Sequence, residues 1–285
     1  MQLRSLPLVS LQCKNRILDL SQPMVMGILN VTPDSFSDGG QYTQLQHALA
    51  RAEEMVKQGA SIIDIGGEST RPNAPQVATL QELERVVHVV AAMSQQLDVV
   101  ISVDTSCPEV MRAAVQAGAH IWNDVRALTR PNALQTAAEL AIPVILMHMR
   151  GEPDTMNSLA MYDNVVQEVS AELESRVTAA LDTGVRRENI ILDPGFGFAK
   201  NTQHNLQLLN QLYQFSDHFG LPWLSGLSRK RFLGETLGSV AVDERLYAGL
   251  AGHLMSVQQG ASIIRTHDVL ATVQHLKLWQ TSLKA

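Results

Sequence analysis

Short apolar runs that end in a polar residue recur along the chain, and helical patterns separate them. The first run, residues 24–29, is continuously apolar, which is typical of a strand buried on both faces of a parallel sheet. Asn30 ends this run, and a loop rich in turn residues then leads into a helical pattern over residues 43–58. The stretch predicts a strand–loop–helix unit with polar chemistry at the carboxyl end of its strand.

One short phrase occurs three times. Gly-Ala-Ser-Ile-Ile stands at residues 59–63 and again at 260–264, and a looser copy stands at 118–122. In each copy the glycine suits the end of a helix and the following apolar residues suit a strand. The residue that follows is Asp64, Arg265 or Asn123, so the phrase places three different functional groups at equivalent strand ends.

Four more apolar runs bring the number of predicted strands to eight, and they cover residues 99–103, 144–147, 190–192 and 222–225. Further helical patterns cover residues 80–95, 109–117, 133–140, 162–181, 202–215, 243–259 and 269–283. Eight strands that alternate with helices in 285 residues predict an α/β fold, the (β/α)8 TIM barrel. Residues 3–20 predict a short N-terminal β-hairpin, with strands at 3–9 and 17–20, that closes one end. No linker divides the chain, so we expect a single domain over 1–285.

Composition narrows the classes of protein. The formal net charge of −6 argues against a nucleic-acid surface, and no apolar run approaches the roughly 20 residues of a membrane span. Polar residues interrupt any N-terminal signal segment, so we expect a cytoplasmic protein. Cys13 and Cys107 are far apart and form no zinc-binding pattern.

In a barrel of this kind the site lies at the carboxyl ends of the strands. The polar residues there fall into two groups. Two carboxylates and their neighbours suit the edge of a nitrogen heterocycle, namely Asp104, Asn123, Asp193 and Lys230. Cations and small polar residues suit a phosphate or pyrophosphate, namely Asn30, Thr70, Arg71, Arg265 and His267. The pattern predicts a heterocycle deep in the mouth and an anion nearer the rim.

Five longer motifs make a family resemblance specific. They are MGILNVTPDSFSDGG at 26–40, DIGGESTRP at 64–72, DPGFGF at 193–198, SRKRF at 228–232 and RTH at 265–267. In this order they resemble the motifs of the dihydropteroate synthases. The resemblance implies a transferase that joins 6-hydroxymethyl-7,8-dihydropterin pyrophosphate to p-aminobenzoate in folate biosynthesis, with 7,8-dihydropteroate and pyrophosphate as products. It also implies Mg²⁺ as cofactor, a homodimer and inhibition by sulfonamides.

The resemblance implies a role for each matching residue. Asp104, Asn123, Asp193 and Lys230 would bind the pterin. Asn30, Thr70, Arg71, Arg265 and His267 would face the pyrophosphate, with Asn30 as ligand of Mg²⁺. The p-aminobenzoate pocket would contain Thr70, Arg71, Pro72, Phe198 and Ser228. Catalysis would rest on Lys230, Arg265, Asp104 and Asp193, by a dissociative path that needs no strong base. Many relatives have glycine where this chain has Asn73.

Two other functions remain open from sequence alone. A pterin-dependent methyltransferase of related fold would carry a Ser-Asn-x-Ser motif where this chain has Ser-Arg-Lys at 228–230. A non-catalytic pterin-binding homologue would be expected to lack site residues that are present here.

Three further interpretations concern residues outside the proposed substrate-binding set. We interpret Asp64 as a structural carboxylate that orients backbone amides or Arg71, and His148 as a surface or packing histidine. We also expect that the last helices present an exposed apolar face to a second subunit, formed by Leu246, Leu250, Leu254 and Val257.

Overall fold

The computed structural model describes residues 10–31, 41–68 and 77–284, apart from the side chains of 41–43. Its strands are β1 (Ser10–Cys13), β2 (Arg16–Asp19), β3 (Met24–Asn30), β4 (Ile62–Gly66), β5 (Val100–Asp104), β6 (Ile121–Asp124), β7 (Val144–Met147), β8 (Ile190–Asp193), β9 (Leu224–Ser225) and β10 (Ile263–Thr266). Its helices are α1 (Gln41–Lys57), α2 (Thr79–Gln96), α3 (Pro108–Ala117), α4 (Ala133–Leu140), α5 (Val165–Asp182), α6 (Thr202–Asn210), α7 (Leu212–Phe219), α8 (Arg231–Thr236), α9 (Leu246–Gln258) and α10 (Val269–Ser282). The predicted α/β class is confirmed.

Strands β3 to β10 form one parallel ring. Each of β3 to β7 pairs with the next strand in the chain, and β10 lies between β9 and β3. A parallel bridge between Leu192 and Trp223 joins β8 to the segment that leads into β9 and closes the ring. The (β/α)8 TIM barrel predicted from the eight apolar runs is therefore confirmed.

The predicted N-terminal hairpin is present, and it packs against the amino end of the barrel. Strands β1 and β2 are antiparallel, and the hairpin buries Leu11, Cys13, Leu18 and Leu20 against the interior residues of the barrel strands. Those interior residues are apolar at the amino ends, namely Met26, Ile62, Val100, Ile121, Ile145, Ile191, Leu224 and Ile263. An apolar floor at this end leaves the polar groups to the opposite mouth. The expected first hairpin strand, 3–9, lies outside the described residues.

Helix boundaries depart from the sequence prediction in four places, one of which is the start of α9 at Leu246 rather than at residue 243. The predicted helix 202–215 is two helices, α6 and α7, because Gln211 leaves the helical region with ψ of 17°. Helix α5 begins at Val165 rather than at residue 162, since the Asn164 side chain accepts from the backbone N–H groups of Val166 and Gln167. Helix α8 was not predicted. None of the described helices is both long enough and apolar enough to cross a membrane.

Candidate active site

The strand register brings three predicted site residues to one mouth of the barrel. Asn30 on β3 lies opposite Gly66 on β4, Gly66 lies opposite Asp104 on β5, and Asp104 lies opposite Asn123 on β6. A Cβ on Gly66 would stand 3.7 Å from both Asn30 Oδ1 and Asp104 Cβ. Because glycine occupies that position, the space between the amide and the carboxylate stays open.

A buried carboxylate sits at the centre of this mouth. Asp64 has no exposed surface, and its Oδ2 accepts from Arg265 Nε at 2.6 Å and from Asn123 Nδ2 at 3.0 Å. The Arg265 guanidinium also donates from Nη2 to Asp104 Oδ2 at 2.8 Å. Among the described residues, Asp64 therefore orients Arg265 and Asn123. Arg71 lies outside the described residues.

The charges of this cluster depend on each other. Burial raises the pKa of the Asp104 carboxyl above its ordinary value, and the adjacent Arg265 guanidinium opposes that rise. Burial lowers the pKa of Arg265, but the carboxylates of Asp64 and Asp104 more than offset this, so its pKa is raised. The guanidinium therefore stays charged. Two of its five N–H groups donate to these carboxylates, and the others can serve an incoming anion.

The second carboxylate, Asp193, ends β8 on the other side of the mouth. Its Oδ1 accepts from the backbone N–H of Gly195 at 2.7 Å, which fixes the orientation of the carboxylate. Burial raises the pKa of Asp193 to about 6, although the Gly195 N–H and the cations Lys230 and Arg265 oppose the rise. At pH 7 the group is mostly ionised, and a ligand that donates hydrogen bonds would favour that form.

Lys230 reaches the same space from the loop after β9. Its ammonium lies 4.0 Å from the centre of the Phe198 ring, which is a cation–π distance. A Cβ on Gly197 would stand 3.0 Å from Lys230 Cδ, so the loop after β8 packs directly against the lysine stem. This contact explains how an aromatic side chain and a long cation are held side by side.

The structure brings these groups together around one depression. Its lining contains both polar or charged and apolar residues, namely Asp104, Asn123, Val125, Met147, Asp193, Phe196, Phe198, Gly226, Lys230 and Arg265. A flat, apolar-faced ring with N–H donors at its edge suits such a lining, because the walls are apolar and the polar groups converge. The four residues predicted to bind the heterocycle are thus neighbours in space.

Ser228 and His267 lie next to each other at the rim. The hydroxyl of Ser228 accepts from the backbone N–H of His267 at 3.2 Å and is 3.1 Å from its Nδ1. Burial, with help from the Arg265 charge, lowers the pKa of His267 to about 4. His267 is therefore a neutral hydrogen-bonding group at pH 7. Of His267 and Arg265, it is Arg265 that carries the positive charge.

Three predicted site residues, Thr70, Arg71 and Pro72, lie outside the described residues, as does the variant position Asn73.

Sequence reasoning missed two networks of charged groups. One missed network joins Arg126 to Glu68 at 3.4 Å and to Glu152 at 2.8 Å. The other network contains Lys200, Glu172 and His148. His148 is buried, as a packing histidine would be, but its hydrogen-bond partners are charged residues. A lysine soon after a glycine-rich loop was the available signal.

Comparison with known proteins gives a consistent result. Residues 26–267 match the family model described as pterin binding enzyme. The chain is 52% identical over 277 residues to the dihydropteroate synthase of Haemophilus influenzae, which covers 97% of this chain and 100% of that one.

Two solved structures share the fold closely. A Xanthomonas albilineans dihydropteroate synthase with 4-aminobenzoic acid superposes with a TM-score of 0.91 at 47% identity, covering 97% of this chain and 98% of that one. The dihydropteroate synthase of the same organism in complex with 7,8-dihydropteroate gives 0.88 at 44% identity, covering 97% and 99%.

The raised pKa of Asp193 predicts a pH-dependent stability. Its pKa is about 6 in the folded chain against an ordinary value of 3.8, so between pH 5 and 8 the unfolded chain binds fewer protons than the folded one. The free energy of unfolding should therefore fall as pH rises, by about 1.4 kcal/mol relative to Asp193→Asn. Urea unfolding of both proteins at pH 5 and 8 measures this, with the exposed Asp154→Asn as control. A difference between the proteins that does not change with pH would contradict the buried-carboxylate account.

Proposed function

The chain belongs to the dihydropteroate synthase family, and from this premise we propose that its barrel mouth transfers a pterinylmethyl group to an arylamine. The donor is 6-hydroxymethyl-7,8-dihydropterin pyrophosphate, the acceptor is p-aminobenzoate, and the products are 7,8-dihydropteroate and pyrophosphate. The protein is accordingly a transferase of folate synthesis. The observation that carries the proposal is one depression that contains two carboxylates, an amide and two cations. The matched relatives favour this reaction over the methyltransferase and the non-catalytic homologue.

The proposed pterin site uses the deep part of the depression. The aminopyrimidinone edge of a pterin carries N–H donors, whose hydrogen bonds the carboxyl oxygens of Asp104 and Asp193 can accept. It also carries carbonyl and ring nitrogen acceptors, to which Asn123 and Lys230 can donate. Asp64 already holds one N–H of the Asn123 amide, so the remaining amide atoms face a ligand in a fixed orientation. Phe196 and Met147 supply apolar surface for the faces of the ring.

The proposed chemistry follows from these charges. Cleavage of the carbon–oxygen bond leaves a pyrophosphate anion and a methylene cation, which the electron-rich dihydropterin delocalises. Asp104 and Asp193 stabilise the positive ring, and Arg265 stabilises the departing anion. The p-aminobenzoate amine then attacks the methylene carbon with its lone pair and loses a proton to solvent. A dissociative path of this kind requires positioned charges rather than a strong base.

The other two subsites lie at the rim. For pyrophosphate we assign the uncommitted N–H groups of Arg265 and a neutral His267, with Thr70 and Arg71 as further proposed contacts. For p-aminobenzoate we assign the ring of Phe198 and the Ser228 hydroxyl, with Thr70, Arg71 and Pro72 as further proposed contacts. The Phe198 ring is buried beside the Lys230 ammonium, so an aromatic acid there would meet an apolar face and a cation together.

The donor set fits Mg²⁺ held mainly by substrate. Among the described residues no group of three acidic, histidine or cysteine side chains forms a metal site. Asn30 places a neutral amide oxygen beside the open position at Gly66, and Mg²⁺ commonly takes one or two protein oxygens together with substrate phosphates. We propose that Asn30 and the pyrophosphate hold the ion, which would neutralise charge on the leaving group.

The assignment of Asn30 predicts a specific change in metal dependence. Asn30→Ala should raise the Mg²⁺ concentration needed for half-maximal pyrophosphate binding by at least ~10-fold, because the amide oxygen is lost. Asn30→Asp, which keeps an oxygen there, should remain closer to wild type. Calorimetric titration of pyrophosphate at several Mg²⁺ concentrations measures this. Equal pyrophosphate binding with and without a chelator would remove the proposed metal site.

The two cations of the depression predict large losses of turnover. Lys230→Ala and Arg265→Ala should each lower kcat by at least ~100-fold, since each removes a preorganised charge partner of the transition state. Arg231→Ala is the matched control, because this neighbouring cation is exposed and pairs with Glu235 four residues on. Its kcat should stay within twofold of wild type. Near-normal rates for folded Lys230→Ala and Arg265→Ala would refute the site.

A homodimer through the last two helices completes the proposal. Tyr247 on α9 and Leu278 on α10 are 80% and 74% exposed, and Leu246, Leu250 and Leu254 are half-buried. The exposed face expected from Leu246, Leu250, Leu254 and Val257 was wrong, since the three leucines are half-buried and Val257 is fully buried where α9 packs on the barrel. Light scattering should give twice the chain mass of 31.2 kDa, and Leu278→Glu should lower it. A wild-type monomer at assay concentrations would contradict the dimer.

A further inference from the structure

The buried side chain of Lys200, near the end of the loop that follows β8, binds the backbone of that loop. Lys200 is 4% exposed, and its Nζ lies 2.9 Å from the carbonyl oxygen of Phe198, 3.0 Å from that of Gly195 and 2.9 Å from His148 Nδ1. An ammonium has three N–H groups, and these are the three nearest acceptors; a fourth, the carbonyl oxygen of His148, lies at 3.5 Å. Two of the acceptors belong to the loop, at either end of the segment that carries Phe196 and Phe198.

His148 connects this lysine to helix α5. Burial lowers the pKa of His148 to about 4, so its ring is neutral at pH 7. With Nδ1 accepting from Lys200, the ring proton lies on Nε2, which donates to Glu172 Oε2 at 3.0 Å. Glu172 also accepts from Arg150 Nε at 2.9 Å. Each polar atom of the His148 ring therefore has a partner, which fixes the ring that receives Lys200.

The loop also lies directly on the end of β7. Gly195 has φ of +68°, and a Cβ there would stand 1.9 Å from the carbonyl oxygen of His148, so glycine permits the close approach. The backbone N–H of His148 donates to Asp193 O at 2.9 Å, and the Gly195 N–H donates to the Asp193 carboxylate. Lys200, His148 and the loop backbone thus form one connected unit around Asp193.

We propose that Lys200 is a positioning residue for the transfer reaction, which holds the loop so that Phe198 faces the p-aminobenzoate. The inference rests on the proposed function. Lys200 does not line the depression, so it acts through the two carbonyls that it binds. Burial lowers its pKa below the ordinary value, while the nearby carboxylates of Asp193 and Glu172 favour the charged form. Loss of the ammonium would leave two loop carbonyls and one ring nitrogen without this donor.

Steady-state kinetics on the intact 285-residue chain tests the positioning role. Lys200→Met keeps most of the side-chain volume and removes the three donors. It should raise KM for p-aminobenzoate by at least ~10-fold while kcat falls less than threefold, because Phe198 contacts ground state and transition state alike. Lys200→Gln, which keeps two N–H donors, should give an intermediate KM. If Lys200→Met does not fold, Lys200→Gln provides the test.

A matched control separates positioning from lost stability. Asn189 immediately precedes β8, is 2% exposed and donates to Ala141 O at 3.0 Å, so Asn189→Leu also removes a buried hydrogen bond. It should lower Tm without changing KM. A KM within twofold of wild type in whichever folded Lys200 variant is obtained would overturn the inference. Wild-type protein that forms no dihydropteroate would instead refute the proposed function.

Discussion

The mouth of the barrel depends on one guanidinium that pairs with two buried carboxylates. Arg265 on β10 reaches past β3 to Asp64 on β4 and Asp104 on β5, and Asp64 also fixes Asn123 on β6. Such a cluster is costly to desolvate, and removal of one partner from a buried pair typically destabilises by about 3–5 kcal/mol. The pairing therefore links four strands into a unit whose donors and acceptors are oriented before any ligand arrives.

The same arrangement separates two kinds of charge. Asp104 and Asp193 face the place proposed for a ring that becomes positive, and Arg265 faces the place proposed for a departing anion. Asp193 is tied to the backbone of its own loop, and that loop is tied by Lys200 to the end of β7. Fixed charges in a partly buried site stabilise a transition state without reorganisation, which suits a reaction that requires little proton transfer.

The sequence was sufficient for the barrel and for much of its mouth. The apolar runs located all eight strands within a few residues, because a strand buried on both faces is continuously apolar and its first polar residue marks the carboxyl end. Asn30, Asp104, Asn123, Asp193 and Arg265 were found in this way. Their positions follow from local pattern, so no long-range information was needed.

Pairings between distant residues could not be predicted. The partner of Asp64 is 201 residues away in Arg265, and Lys200 meets His148 across 52 residues. The neutral state of His267 depends on its burial in the folded chain. The break between helices α6 and α7 depends on the backbone conformation of one residue, Gln211. From the sequence motifs, Thr70, Arg71 and Pro72 are predicted to contact the substrates, and all three lie outside the described residues.

The most direct measurement is pyrophosphate release by purified protein supplied with 6-hydroxymethyl-7,8-dihydropterin pyrophosphate and Mg²⁺, with and without p-aminobenzoate, while dihydropteroate is followed by chromatography. The account predicts that release requires p-aminobenzoate for sustained turnover and equals dihydropteroate formed, mole for mole. Binding of the pterin without any dihydropteroate would contradict it.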